Sequence, residues 1–127
     1  MIALVATAGG TFEVDLETEQ VEPGAAVVTP QHVETGLPRV VATASSGSTV
    51  AAVVDSRPPL LVSHDSGRTW RESGRGLPAG FAVAVFDDDP DVILFAGRNR
   101  LYLSRDGGRF WEGLAVELPD ILAVAFS

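Results

Sequence analysis

The chain has 127 residues, no cysteine and a formal net charge of −8. Its length suits one domain of roughly 100–200 residues, and an apolar content of 46% excludes a disordered chain. Without cysteine there is neither a disulfide framework nor a thiolate metal site, and the excess of carboxylates argues against a nucleic-acid partner, since phosphate binding concentrates cations. All nine basic residues are arginine, which reads as a coding bias of a GC-rich bacterium.

The chain opens on Met1-Ile2-Ala3-Leu4-Val5-Ala6-Thr7-Ala8-Gly9-Gly10. This stretch lacks a basic leader and is far shorter than a membrane span of about 20 residues, so it reads as a strand. A cytoplasmic protein with no membrane span is the corresponding expectation. Further along come short apolar runs broken by Gly, Pro, Asp and Ser, and none carries a helical period. In chain order they are Ile2–Thr7, Thr11–Leu16, Ala25–Thr29, Arg39–Ala44, Thr49–Val54, Leu60–Ser63, Thr69–Glu72, Phe81–Phe86, Val92–Ala96, Leu101–Ser104, Phe110–Gly113 and Ile121–Phe126. Twelve such runs predict an all-β protein.

A repeat orders these runs. Ser63-His64-Asp65-Ser66-Gly67-Arg68-Thr69-Trp70 returns 41 residues later as Ser104-Arg105-Asp106-Gly107-Gly108-Arg109-Phe110-Trp111. Leu37-Pro38, Leu77-Pro78 and Leu118-Pro119, spaced by 40 and 41, mark a third unit. In the first unit Val14-Asp15-Leu16-Glu17 stands where Val62-Ser63-His64-Asp65 stands later. That copy is degenerate and carries an insertion from Thr18 to about Thr35.

The octapeptides resemble Asp-box repeats, Ser-x-Asp-x-Gly-x-Thr-Trp, also called bacterial neuraminidase repeats. Such boxes occur in sialidases, some xyloglucanases, sortilin-type receptors and photosystem II assembly factors. The resemblance implies a β-propeller of four-stranded antiparallel blades. Ser63, Asp65, Gly67, Thr69 and Trp70 fit the pattern fully; Ser104, Asp106, Gly108 and Trp111 fit in the second copy, which has Phe110 in the Thr place. In this reading the Asp carboxylates accept backbone N–H groups that a hairpin turn leaves unpaired, the serines add a hydroxyl, the glycines supply a turn conformation, and the tryptophans seal the turn between blades. The boxes are then structural, away from any catalytic face, and with one carboxylate each they are not calcium loops.

Counting strands A to D from the ring centre outward, the chain starts at a B strand and ends on a lone A strand, Ile121–Phe126. It reads as a single domain over residues 1–127: blade one split between 1–35 and 121–127, blade two about 37–75, blade three about 77–117. Three blades fall short of the usual 4–8. The expectation is a six-bladed ring formed by a homodimer that exchanges its C-terminal strand, with a nine-bladed trimer as the other closure.

The face opposite the boxes gathers Arg39, Arg57, Arg98, Asn99, Arg100 and Asp120, candidate ligand-binding residues for a carboxylate, a phosphate or an acidic peptide; the same arginines would also suit solvated loops paired with neighbouring acids. The insertion is the candidate for specificity or for a dimer contact. No metal site or cofactor is expected: His32 and His64 do not cluster, and Asp87-Asp88-Asp89-Pro90-Asp91 reads as a solvated turn. The function this supports is a non-catalytic binding or scaffold module for a partner protein, glycan or acidic ligand. The alternative is a minimal sialidase-like or other glycoside hydrolase with its site at the ring axis. A glycosidase needs two carboxylates flanking the bond, and a sialidase a Tyr nucleophile. The single tyrosine, Tyr102, falls where the repeat favours an aromatic for packing.

Overall fold

The computed structural model describes residues Met1–Ser127, all of them in strands, turns and loops. Twelve strands are present: β1 (Ile2–Thr7), β2 (Gly10–Asp15), β3 (Val21–Pro23), β4 (Val40–Ser46), β5 (Thr49–Val54), β6 (Leu60–Ser63), β7 (Arg71–Ser73), β8 (Ala82–Val85), β9 (Ile93–Ala96), β10 (Leu101–Ser104), β11 (Glu112–Gly113) and β12 (Ile121–Phe126). They form three four-stranded antiparallel sheets: β12-β1-β2-β3 is blade 1, β4-β5-β6-β7 is blade 2 and β8-β9-β10-β11 is blade 3. The architecture is a β-propeller arc.

The C-terminal strand is where the structure departs from the strand-exchange expectation. β12 pairs with β1 of the same chain, Leu4 opposite Ala125 and Val5 opposite Val124. The edge that was expected to seek a second chain is satisfied within one. This works because the order of blades around the arc differs from their order along the chain. β8 packs against both β4 and β12, so blade 3 sits in the middle with blades 2 and 1 on its two sides. Residues 24–39, lying between β3 and β4, carry the chain from blade 1 to blade 2. An extended segment of that length reaches ~50 Å.

Burial follows from this order. In β9, Ile93 and Phe95 belong to the core shared with blade 2, while Leu94 and Ala96 belong to the core shared with blade 1. A strand covered on both faces has no polar side, and β8 and β9 read as unbroken apolar runs with every residue buried. β1, whose outer face lies on the arc's flank, alternates between buried and half-buried residues.

β5 is also buried throughout, although blade 2 has blade 3 on only one side. The 24–39 segment runs along the neighbour of β5, β4. The Gln31 amide bonds both backbone groups of Ser45, accepting its N–H at 3.0 Å and donating to its carbonyl at 3.5 Å, and the Val33 N–H donates to Thr43 Oγ1 at 2.8 Å. Val33, Thr35 and Leu37 are half-buried while Gln31, His32, Glu34 and Gly36 are exposed, the alternation of an extended strap on a sheet. The insertion is therefore a strap along the inner edge of blade 2. The strand expected at Ala25–Thr29 is not formed. The Asp15 carboxylate closes the turn at Glu17 and Thr18, bringing Val21 opposite Val14, so the outer strand of blade 1 starts four residues before that apolar run.

Each Leu-Pro leads into an innermost strand, and in two of the three the register slips within its first residues. Val41 is the extra residue between Val40 and Ala42, and Leu122 the extra one between Ile121 and Ala123. Phe81 holds the same place in the repeat, three residues after the proline. The slips turn apolar side chains out of the sheet, and all three are exposed.

Two measurements check this arrangement. Oxidising a Leu4→Cys/Ala125→Cys double variant is expected to give a cross-link within one chain; a product of twice the mass would mean that the end strand is exchanged. A Cβ on Gly80 would lie 2.5 Å from the Phe95 ring and 2.6 Å from Val53, so Gly80→Ala is expected to cost about 1–3 kcal/mol in urea unfolding.

Candidate functional site

The boxes fold as hairpin clamps. In the first, Asp65 Oδ1 accepts from Ser63 Oγ at 2.7 Å and from the Thr69 N–H at 2.9 Å, and Oδ2 accepts from Thr69 Oγ1 at 2.6 Å. The Gly67 N–H donates to Ser63 Oγ at 2.8 Å. Gly67 has φ +85° and Gly108 φ +94°, the left-handed region that side chains avoid. The second box repeats the pattern: Ser104 Oγ donates to Asp106 Oδ1 at 2.9 Å, the Phe110 N–H to the same oxygen at 3.0 Å, and the Gly108 N–H to Ser104 Oγ at 2.8 Å. The degenerate first unit keeps the device with a shifted residue. Asp15 accepts the N–H groups of Glu17 and Thr18 at 2.9 and 3.1 Å.

These bonds favour the ionised carboxylates. The Thr69 hydroxyl, then the Thr69 N–H, holds Asp65 well below the usual carboxylate range; the Phe110 N–H lowers Asp106, and the Thr18 and Glu17 N–H groups lower Asp15. Every perturbed carboxylate is thus consumed by its own turn. The tryptophans differ in what they seal. Trp111 donates to Ser73 Oγ at 3.1 Å and packs edge-on against Phe95, locking blade 3 to blade 2, whereas Trp70 lies over Gly67 within its own hairpin.

Of the loop residues expected opposite the boxes, those of blade 3 are set against the 117–120 loop. Arg98 Nε meets Asp120 Oδ1 at 3.1 Å, and Arg100 Nη2 meets Glu117 Oε1 at 2.7 Å. The Asn99 carbonyl accepts the Leu118 N–H at 2.9 Å, and the Arg39 carbonyl, at a residue with φ +59°, accepts the Asp55 N–H at 2.9 Å. Four of the six residues are therefore loop clamps through a side chain or a carbonyl, with Arg39 a fifth. The guanidinium groups of Arg39 and Arg57 have no carboxylate partner, and Arg57 lies beside a cavity of ≈160 Å³ that also borders Asp55 and Ala79. Tyr102 packs edge-on against Phe95.

The largest concave surface lies elsewhere, on the outer seam between blades 2 and 3. A cavity of ≈670 Å³ runs between β7 with the Gly74–Leu77 turn and the second box, lined by Arg71, Arg75, Arg109 and Phe110. It continues at one end into a cavity of ≈360 Å³ beside Arg57 and Arg75, and at the other into one of ≈530 Å³ beside Arg105, Arg109 and His64. Five of the nine arginines border this seam. Only Arg105 comes near a carboxylate, Glu17, at 4.0 Å.

Phe110 is 78% exposed on the seam. It stands where the first box has Thr69, whose hydroxyl binds Asp65. The second box gives up that bond and shows solvent a phenyl ring. This surface was not among those expected from the sequence; the one signal available was the departure from the box pattern at Phe110, since the arginines are spread over the chain and share no motif.

No protein-family model matches the chain, and no curated protein matches it. Solved structures do. YCF48 bound to D1 peptide superposes with a TM-score of 0.54 at 17% identity, over 94% of this chain and 37% of that one. The GH74 enzyme of Niastella koreensis gives 0.52 at 21%, over 96% and 19%, and YCF48 from Cyanidioschyzon merolae 0.49 at 22%, over 91% and 33%. The chain spans little more than a third of these proteins at most. The first and the GH74 enzyme agree with a propeller fold.

Depressed carboxylates stabilise the folded chain above the unfolded pKa of about 3.9, and that stability is lost as pH falls toward the lower folded values. Urea unfolding between pH 5 and 2 is expected to show this loss, with a shallower slope in Asp65→Asn. Thr69→Val is expected to lower stability at pH 7 and to flatten the same slope. An unchanged slope in both variants would remove the clamp role of Asp65.

Proposed function

We propose that the chain is a partner-binding propeller module whose working surface is the outer seam between blades 2 and 3. The observation that carries this is the run of five arginines, four of them without a carboxylate partner, around an exposed phenylalanine in the largest concavity of an acidic protein. Arg98 and Arg100 on the loop face are each paired with a carboxylate, whereas Arg57, Arg71, Arg75 and Arg109 on the seam are not. A deep, open seam with charged walls and an aromatic at its rim is suited to capture of a partner segment. YCF48, a protein of similar fold, has been solved with a D1 peptide bound, which agrees with a peptide-binding role for this architecture.

Both walls of the seam belong to one chain, so a strand-exchanged homodimer is not needed to build it. The glycoside hydrolase alternative has less to work with. On the loop face the acids Asp120 and Glu117 are each engaged by an arginine, and the box carboxylates are held ionised by their turns. A general acid must instead hold a proton near neutral pH.

Selection of binders from a displayed library of random peptides tests the reading. Amide shifts caused by the selected peptides are expected at 71–77 and 105–111. Shifts confined to the loops at 8–10 and 97–100, or turnover of a sialoside or xyloglucan oligosaccharide, would overturn it.

A further inference from the structure

The seam has a third property besides charge and the aromatic. β7 is the outermost strand of blade 2, and beyond its pairing with β6 the backbone of Arg71–Ser73 makes no hydrogen bond. A free strand edge is a template for another extended chain. The neighbouring wall, blade 3, is fixed to this strand at one point: Ser73 Oγ donates to the Gly108 carbonyl and accepts from Trp111 Nε1. That tie holds the two walls together beneath the groove and leaves the groove itself open.

The three outer edges of the molecule are not alike. β3 carries Glu22 and β11 carries Glu112, neither with a basic residue in the strand, whereas β7 carries Arg71 beside Glu72 and is followed by Arg75. Charge of either sign suffices to keep an edge from pairing nonspecifically. Positive charge in a chain of net −8 is the choice that protection alone does not require. Against the arginines of the seam stand Glu72, Asp91 and Asp106, and Asp106 is already committed to its box.

From these observations we infer that the seam takes an extended acidic peptide, which adds as a strand to the free edge of β7, sets its carboxylates against Arg71, Arg75 and Arg109, and lays an apolar side chain on Phe110. This inference rests on the seam being the binding surface and names its ligand. At about 3.3 Å per residue, six or so residues of peptide match the height of a blade. Backbone pairing supplies affinity without sequence, and the arginines and Phe110 supply the selection.

The probe is an octapeptide alternating glutamate with valine, titrated against the intact chain by fluorescence anisotropy. Binding is expected, weakening several-fold as salt screens the arginines. The Arg71→Glu/Arg109→Glu double variant is expected to lose on the order of 10-fold in affinity. Both side chains are exposed, and an unchanged amide spectrum outside the seam establishes that the variant is folded. N-methylation of alternate peptide amides along one edge is expected to cost about 10-fold or more, through lost backbone bonds. Phe110→Thr, which restores the box pattern, is expected to weaken binding and to stabilise the fold.

A lysine–valine octapeptide that binds as well as the acidic one overturns the inference, as does indifference to N-methylation. Library binders that map to the seam but carry basic or helical sequences would sink the acidic strand while leaving the seam as the binding surface. Acidic binders that map elsewhere would sink both.

Discussion

The pairing of β12 with β1 is the interaction on which the remaining structure depends. It joins the two ends of the chain into one sheet, and it determines which blade stands in the middle. Once β12 follows blade 3 and recruits β1–β3, blade 1 must lie beyond blade 3, and the segment from 24 to 39 has to return to blade 2. That segment is long because the return is long. Having to cross, it is put to use: Gln31 copies a strand's bonding pattern on the free edge at Ser45, where an exposed backbone would otherwise invite aggregation.

The boxes act on a smaller scale and for a related reason. A blade's outer hairpin is too short to satisfy its own backbone, so a carboxylate is spent on each turn. The degenerate unit shows that the requirement is for an acceptor in the turn rather than for the motif, since Asp15 performs the task from a different position. Where the motif is kept, it can still be varied. Asp106 retains its backbone partner after losing the hydroxyl that Thr69 gives Asp65, which releases the Thr position to carry Phe110.

Much of this was readable in the residues. The 40- and 41-residue spacings set the phase of the strands, and β1, β5, β6, β10 and β12 fall where the apolar runs place them. The gathering of Arg98, Arg100, Asp120 and Asn99 at one end was legible for the same reason, because equivalent loops of a repeat share a face. What stayed hidden depends on contacts between units. A repeat gives the order of blades along the chain and is silent about their order around the arc, so the first and last strands read as parts of one blade without being seen to meet within one chain. Nothing local marks Gly80 either; its need to be glycine comes from Phe95 and Val53, on two other strands. The turn at Asp15 displaced the outer strand of blade 1 from Ala25–Thr29 to Val21–Pro23, because a side-chain acceptor outweighed a weak apolar run.

The seam illustrates why function is harder to read than fold. Its arginines come from positions 57, 71, 75, 105 and 109, in two blades and with no common spacing, and only the packing of β7 beside the second box brings them together. Ionic self-pairing is inexpensive for a surface arginine in an acidic chain, and the loop face shows it happening at 2.7 and 3.1 Å. Along the seam only Arg105 has a carboxylate as near as 4.0 Å. Glu72 follows Arg71 in a short strand whose successive side chains point to opposite faces, so the two do not pair although both border the groove. A regular outer strand therefore keeps adjacent opposite charges apart, and three arginines against one glutamate border the largest of the seam's cavities.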